Sequence, residues 1–206
     1  MLEQAYQLRD LEDQRHRFIV LSGCSGGGKS TLLTELNRRG FAVFEEPGRQ
    51  LIKEQQYIEG TAFPWANPLQ FVELSVSRSI NQMVLAARVD QWSFFDRGIV
   101  DAVSFLEHLN LSIPKHLENA VQRLRYSRVV FLAPPWPEIF GMDAERRHSF
   151  EEAVANYESL VRTYERLGYT PVLLPKVDVA KRADFVIDHL TAGSKANPGL
   201  SIREHQ

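Results

Sequence analysis

The chain has 206 residues and a formal net charge of −2, with hydrophobic residues at 44% and charged residues at 24%. That length suits one α/β domain and leaves no room for a second substantial one. The near-neutral balance gives no basic signal for nucleic acid or anionic membrane, and no apolar stretch reaches the length of a transmembrane helix.

Cys24 is the single cysteine, so no disulfide closes within the chain, and a cytoplasmic home is expected. Residues 1–17 are rich in Glu, Gln, Asp and Arg and lack the apolar core of a signal peptide.

The first firm element is the apolar run 18–21, which reads as a buried parallel strand. A glycine-rich turn follows, then a helix over 29–39 that Gly40 ends, then a second strand over 41–44. The spacing predicts a long helix over 68–89. A third apolar run, 92–95, stops at Asp96. Helices are expected over 99–109 and 115–125, and a fourth strand over 129–132 that Pro134-Pro135 stops. A polar and prolyl segment leads to a helix over 150–167, a fifth strand over 170–174 and a closing helix over 179–190.

Five apolar strands alternating with helices predict a three-layer αβα sandwich around a five-stranded parallel sheet, with ligands at the carboxyl ends of the strands. Residues 1–190 form one domain in this reading, 136–149 a lid segment, and 191–206 a mobile tail. The long apolar helix offers a face either for the core or for pairing across a two-fold as a homodimer.

Gly23-Cys24-Ser25-Gly26-Gly27-Gly28-Lys29-Ser30 fits the phosphate-loop pattern G-x-x-x-x-G-K-[ST], with a strand before it and a helix through Thr31 after it. The glycines let backbone amides wrap a β-phosphate, and the helix adds its positive end. Lys29 suits the β- and γ-phosphate oxygens, and the Ser30 hydroxyl suits Mg²⁺. Cys24 inside the loop reads as a tolerated small residue rather than a redox thiol.

Phe94-Phe95-Asp96-Arg97-Gly98 places an acid where a strand stops, the position from which a carboxylate holds Mg²⁺ in such enzymes. Arg97 beside it suits an acceptor or a transferring phosphoryl group. Asp101 reads equally as a helix cap or a substrate contact. Glu45-Glu46-Pro47 ends the second strand. A phosphotransferase acting on a hydroxyl needs a carboxylate there to accept the proton, and Glu46 is preferred of the two.

At this point the succession of phosphate loop, Glu-Pro, a long helix with Gln70 and Arg78, Asp-Arg-Gly and a late arginine segment resembles the nucleoside and nucleotide kinases. It is similar in local motifs to deoxynucleoside kinases, and overall to bacterial AAA-labelled predicted ATPases, a group that also covers the nicotinamide riboside kinase type. The likeness runs over 18–190. It implies ATP and Mg²⁺ as cofactors and a small nucleoside- or nucleotide-like acceptor. It also implies Glu46 as catalytic carboxylate, with Gln70 and Arg78 as acceptor contacts on one helix. Gly98 stands where those kinases carry a serine.

The segment Asp143-Ala144-Glu145-Arg146-Arg147-His148 offers Arg146 and Arg147 as lid arginines that balance charge on the transferring phosphate; the other reading is a charged helix start in water. Phe63-Pro64-Trp65 either stacks on a planar acceptor, with Trp65 the candidate contact, or plugs the core beneath a loop. Trp136 carries the same two readings. No Asn-Lys-x-Asp guanine reader is present. The kinase reading leads, and an ATPase whose hydrolysis regulates a protein or nucleic-acid partner is the alternative.

Overall fold

The computed structural model describes residues 6, 8, 11–140 and 149–196. In chain order the elements are α1 (Leu11–Gln14), β1 (Phe18–Gly23), α2 (Lys29–Arg38), β2 (Ala42–Phe44), α3 (Pro47–Tyr57), α4 (Pro68–Ala86) and β3 (Ser93–Asp96). They continue with α5 (Ile99–His108), α6 (Lys115–Arg123), β4 (Val129–Ala133), α7 (Phe150–Arg166), β5 (Thr170–Leu173) and α8 (Val179–Ala196).

All strands are parallel, in the order β2-β3-β1-β4-β5. Strand direction through the sheet is explained by burial on both faces. In β1, Phe18 and Val20 enter one apolar cluster while Ile19 and Leu21 enter the other. Phe95 and Phe94 divide the same way in β3, as do Val130 and Phe131 in β4. A period of two with both sides apolar is the pattern of a sheet covered by helices on each face. The first face is covered by α4, α5 and α7 through Val76, Val103 and Leu160, the second by α2 and α8 through Leu32, Leu36 and Val186. The expected αβα sandwich is the observed fold.

Boundaries shift where tertiary contacts override local pattern. The long helix stops at Ala86 rather than 89, and α8 continues past Leu190 to Ala196, where the loose tail was expected to begin. Thr191 donates its hydroxyl back to the Ile187 carbonyl at 2.8 Å, which keeps it within the helix. The segment 197–206 lies outside the described residues. Helix α3 begins with Pro47 at its first position, where the missing amide of proline goes unneeded.

The order of strands puts β1 between β3 and β4, so the chain leaves the sheet in opposite directions on either side of it. Leu21 pairs with Asp96 and Gly23 with Ala133. The ends of β1, β3 and β4 therefore meet at one switch point, the place where such sheets open a crevice.

Candidate active site

The chain turns out of β1 at Gly23 with φ 108. A side-chain carbon there would stand 2.3 Å from the Ala133 carbonyl oxygen, so only glycine fits this turn. Cys24 donates its amide to that same oxygen at 2.8 Å. Its buried thiol reaches the Ala153 carbonyl at 3.6 Å, tying the loop to α7.

Lys29 opens α2 and is buried, its Nζ donating to the carbonyl oxygens of Cys24 at 2.9 Å and Gly23 at 3.5 Å. Burial, and then the nearby Arg97 cation, lower its pKa to about 8 against the pull of Asp96, Glu46 and Asp101. One helical residue on, Ser30 places its hydroxyl 3.5 Å from Asp96 Oδ2. The other carboxylate oxygen, Asp96 Oδ1, is buried and has no hydrogen-bond partner among the described residues. Burial, and then repulsion from Glu46, push the Asp96 pKa up to about 6. A hydroxyl facing a desolvated carboxylate with one orphaned oxygen is a donor set that suits a hard divalent cation, so these residues fit Mg²⁺.

Arg97 leaves β3 in the left-handed region at φ 65, unusual for a residue with a side chain. Its amide donates to the Leu21 carbonyl at 3.0 Å, which anchors the turn. The strained backbone swings the guanidinium toward two acids: Nε lies 3.3 Å from Glu46 Oε1, and Nη1 lies 3.0 Å from Asp101 Oδ1. Burial works against its charge, but Glu46, Asp101 and Asp96 together raise its pKa.

Asp101 is the hub beneath this pair. It accepts from the Gly98 amide at 2.9 Å, Tyr164 Oη at 2.6 Å, Arg97 and the Ser22 hydroxyl. Asp101 caps α5, one of its two sequence readings, and it also lines the cavity. Replacing it by Ala orphans several buried donors at once. Asp101→Ala is expected to destabilise the fold by roughly 3–5 kcal/mol, lowering Tm by about 10 °C. A thermal melt within about 2 °C of wild type would remove Asp101 from this role.

Gly98 also has a spatial reason. A side-chain carbon there would approach the Tyr126 ring at 2.9 Å, so a serine at this position has no room. The departure from Asp-Arg-Ser is matched by that ring.

Glu46 lies two residues past the end of β2 and caps α3 by position, though its carboxylate makes no cap bond. Oε2 lies 3.4 Å from Arg49 Nε. Glu45 turns the other way, exposed, with Gln50 donating to its carboxylate at 3.2 Å. Of the two neighbouring acids, Glu46 lines the cavity and Glu45 does not.

That cavity measures about 760 Å³, within the usual range for small-ligand sites. Its floor is the phosphate loop with Lys29, Ser30 and Thr31. One wall is a face of α4 with Phe71, Val72, Ser75 and Ser79; the facing wall is Ala153, Asn156, Tyr157 and Leu160 of α7. Both sets follow helical spacing.

Gln70 and Arg78 stand elsewhere. With Leu74 they form an i, i+4, i+8 stripe on the outer side of α4. Gln70 completes the helix cap, its amide donating to Asn67 Oδ1 at 3.2 Å and its Oε1 accepting from Asn67 Nδ2 at 3.0 Å. Arg78 makes a bidentate pair with Glu54 at 2.9 and 2.7 Å, which pins α4 to α3. Trp65 stacks on Phe63 with ring centres 5.0 Å apart and remains 49% exposed; its neighbour Pro64 lines the cavity and it does not.

The expected lid is described only as far as Phe140, with a 3-10 turn at Pro137–Ile139. That turn lies over the loop: Phe140 stands 2.7 Å, and Ile139 3.3 Å, from where side-chain carbons on Gly26 and Gly28 would be. Arg146 and Arg147 lie outside the described residues. Arg182 carries no sequence signal of its own, yet it is buried against the loop, donating to the Gly27 carbonyl at 3.0 Å with Trp136 over its guanidinium at 5.6 Å.

Solved structures of similar fold are small-molecule kinases and a related protein. A deoxyadenosine kinase from M. mycoides with bound dATP aligns at TM-score 0.56 and 18% identity, covering 85% of this chain and 100% of that one. NadR in complex with NR aligns at TM-score 0.62 and 16% identity, covering 96% of this chain and 55% of NadR. A thymidylate kinase from Ehrlichia chaffeensis aligns at TM-score 0.52 and 14% identity over 85% of this chain and 98% of that one. These likenesses establish the P-loop kinase-like fold. No curated protein matches the sequence. The family model described as AAA domain matches residues 18–182, and the chain belongs to that family.

Proposed function

We propose that the protein is a phosphotransferase moving the γ-phosphate of ATP to a small acceptor, such as a nucleoside or nucleotide, with Mg²⁺. The observation that carries this is the convergence on one cavity of a phosphate loop and an acid–arginine pair, Glu46 with Arg97. The bound dATP of the deoxyadenosine kinase structure agrees with a nucleotide on such a loop.

Lys29 and the loop amides neutralise charge on the donor phosphates. Ser30 and Asp96 would hold Mg²⁺, which when bound supplies charge neutralisation across the β- and γ-phosphates. Glu46 accepts the acceptor proton, and Arg97, aimed by Asp101, stabilises the transferring group in line with it.

The second reading is an ATPase whose hydrolysis regulates a protein or nucleic-acid partner. Against it stands the walled space beyond Glu46, which water attack does not need. ATP labelled at the γ-phosphate separates the two. Label recovered in an organic product supports transfer; label recovered only as inorganic phosphate, at every acceptor tried, supports hydrolysis.

A further inference from the structure

The two ends of the cavity differ in chemistry. Among the described residues, every charged side chain in its lining belongs to the phosphate loop, a strand end or the first turn of α3, α5 or α8. The described residues that line the stretch between α4, α5 and α7 beyond those turns are neutral. Three half-buried aromatics, Phe71, Phe105 and Tyr157, wall it, with Phe71 and Phe105 edge to face at 6.4 Å. Such walls suit a flat ring. An anion there would lose its water and meet no cation among the described residues.

Among the described residues, the side chains that bring polar groups to this neutral end are Ser75, Ser79, Ser104, Asn156 and Tyr157. The Ser75 hydroxyl donates inward to the Phe71 carbonyl at 2.8 Å, and Ser79 bonds to the Tyr126 phenol. Asn156 is the only amide side chain among the described lining residues. An amide carries a donor and an acceptor side by side, and so pairs with a ring edge that presents the same two groups.

The reacting end narrows the acceptor further. Glu46 and Asp101 already engage Arg97, and Glu46 also faces Arg49. A second phosphate arriving as acceptor would meet two carboxylates and would compete with them for Arg97 and Arg49. A neutral hydroxyl meets a proton acceptor in Glu46 and no repulsion.

Resting on the kinase reading above, we propose that the acceptor is nucleoside-like. It has a free hydroxyl as nucleophile and a flat ring whose amide-type edge pairs with Asn156. It carries no phosphate and no carboxylate on that ring.

The test uses the whole chain with ATP and Mg²⁺ and two matched pairs of acceptors. One pair is nicotinamide riboside against nicotinic acid riboside, which exchanges an amide for a carboxylate. The other is uridine against its 5′-monophosphate. In each pair the amide-bearing, unphosphorylated member is expected to show a kcat/KM higher by roughly tenfold or more. Asn156→Ala is expected to raise KM for that member by about tenfold with kcat little changed, losing one buried hydrogen bond. Unchanged ATP affinity in calorimetry shows that this variant is folded.

Preference for the monophosphate or the carboxylate overturns the assignment while leaving the kinase reading intact. So does an Asn156→Ala protein with unaltered KM. ADP release equal with and without every acceptor overturns both.

Discussion

Lys29→Ala abolishes ATP turnover while leaving the protein folded. The expected loss follows from the position of Nζ, held by two carbonyls of the loop proposed to bind the donor phosphates. The retained fold follows from electrostatics. Lys29 is buried and its pKa is lowered from 10.5 to about 8, so the folded state disfavours its charge. A base with a lowered pKa weakens the fold while protonated, and the penalty is relieved as pH rises from about 8 toward 10.5.

Without nucleotide, Lys29→Ala is therefore expected to melt no lower than wild type at neutral pH, with any advantage narrowing on the alkaline side. Asp96 is displaced in the matching sense, its carboxylate disfavoured by burial. Both groups sit in one buried site where burial disfavours their charged forms. Turnover by Lys29→Ala at the native rate would remove the phosphate-loop assignment.

Glu46→Gln is the second large effect, a loss of about 10²–10⁴ in kcat if this carboxylate takes the acceptor proton. The amide keeps the size and much of the contact to Arg97 and Arg49 but cannot accept the proton. Acceptor KM is expected to change little, because the interaction matters most as the proton moves. Glu45→Gln serves as the control. That side chain is exposed and outside the cavity, so its rate should hold. A loss below about threefold in Glu46→Gln would move the proton to another group.

The phosphate-loop end of the cavity was legible in the sequence because each part lies next to a strand that fixes it. The phosphate loop leaves β1, Asp96 and Arg97 leave β3, and Glu46 leaves β2 ahead of a proline. Short distances along the chain became short distances in space.

The acceptor end was not legible in the same way. Its walls come from α4, α5 and α7, which lie far apart along the chain and meet only in the folded domain. Helical spacing groups Gln70 with Leu74 and Arg78, but does not say which stripe of α4 turns inward; burial chose Val72, Ser75 and Ser79. Asn156 and Tyr157 stand in an ordinary amphipathic helix and belong to no motif. Arg182 is likewise silent in sequence, and its burial under Trp136 arises from the return of α8 against the loop.

ADP release by the purified protein with ATP and Mg²⁺, measured alone and against a panel of nucleosides, nucleotides and nicotinamide riboside, tests the central claim most directly. The account predicts a sharp rise with one acceptor and a matching phosphorylated product by mass. An ADP rate that is the same whatever is added, with no such product, would contradict it.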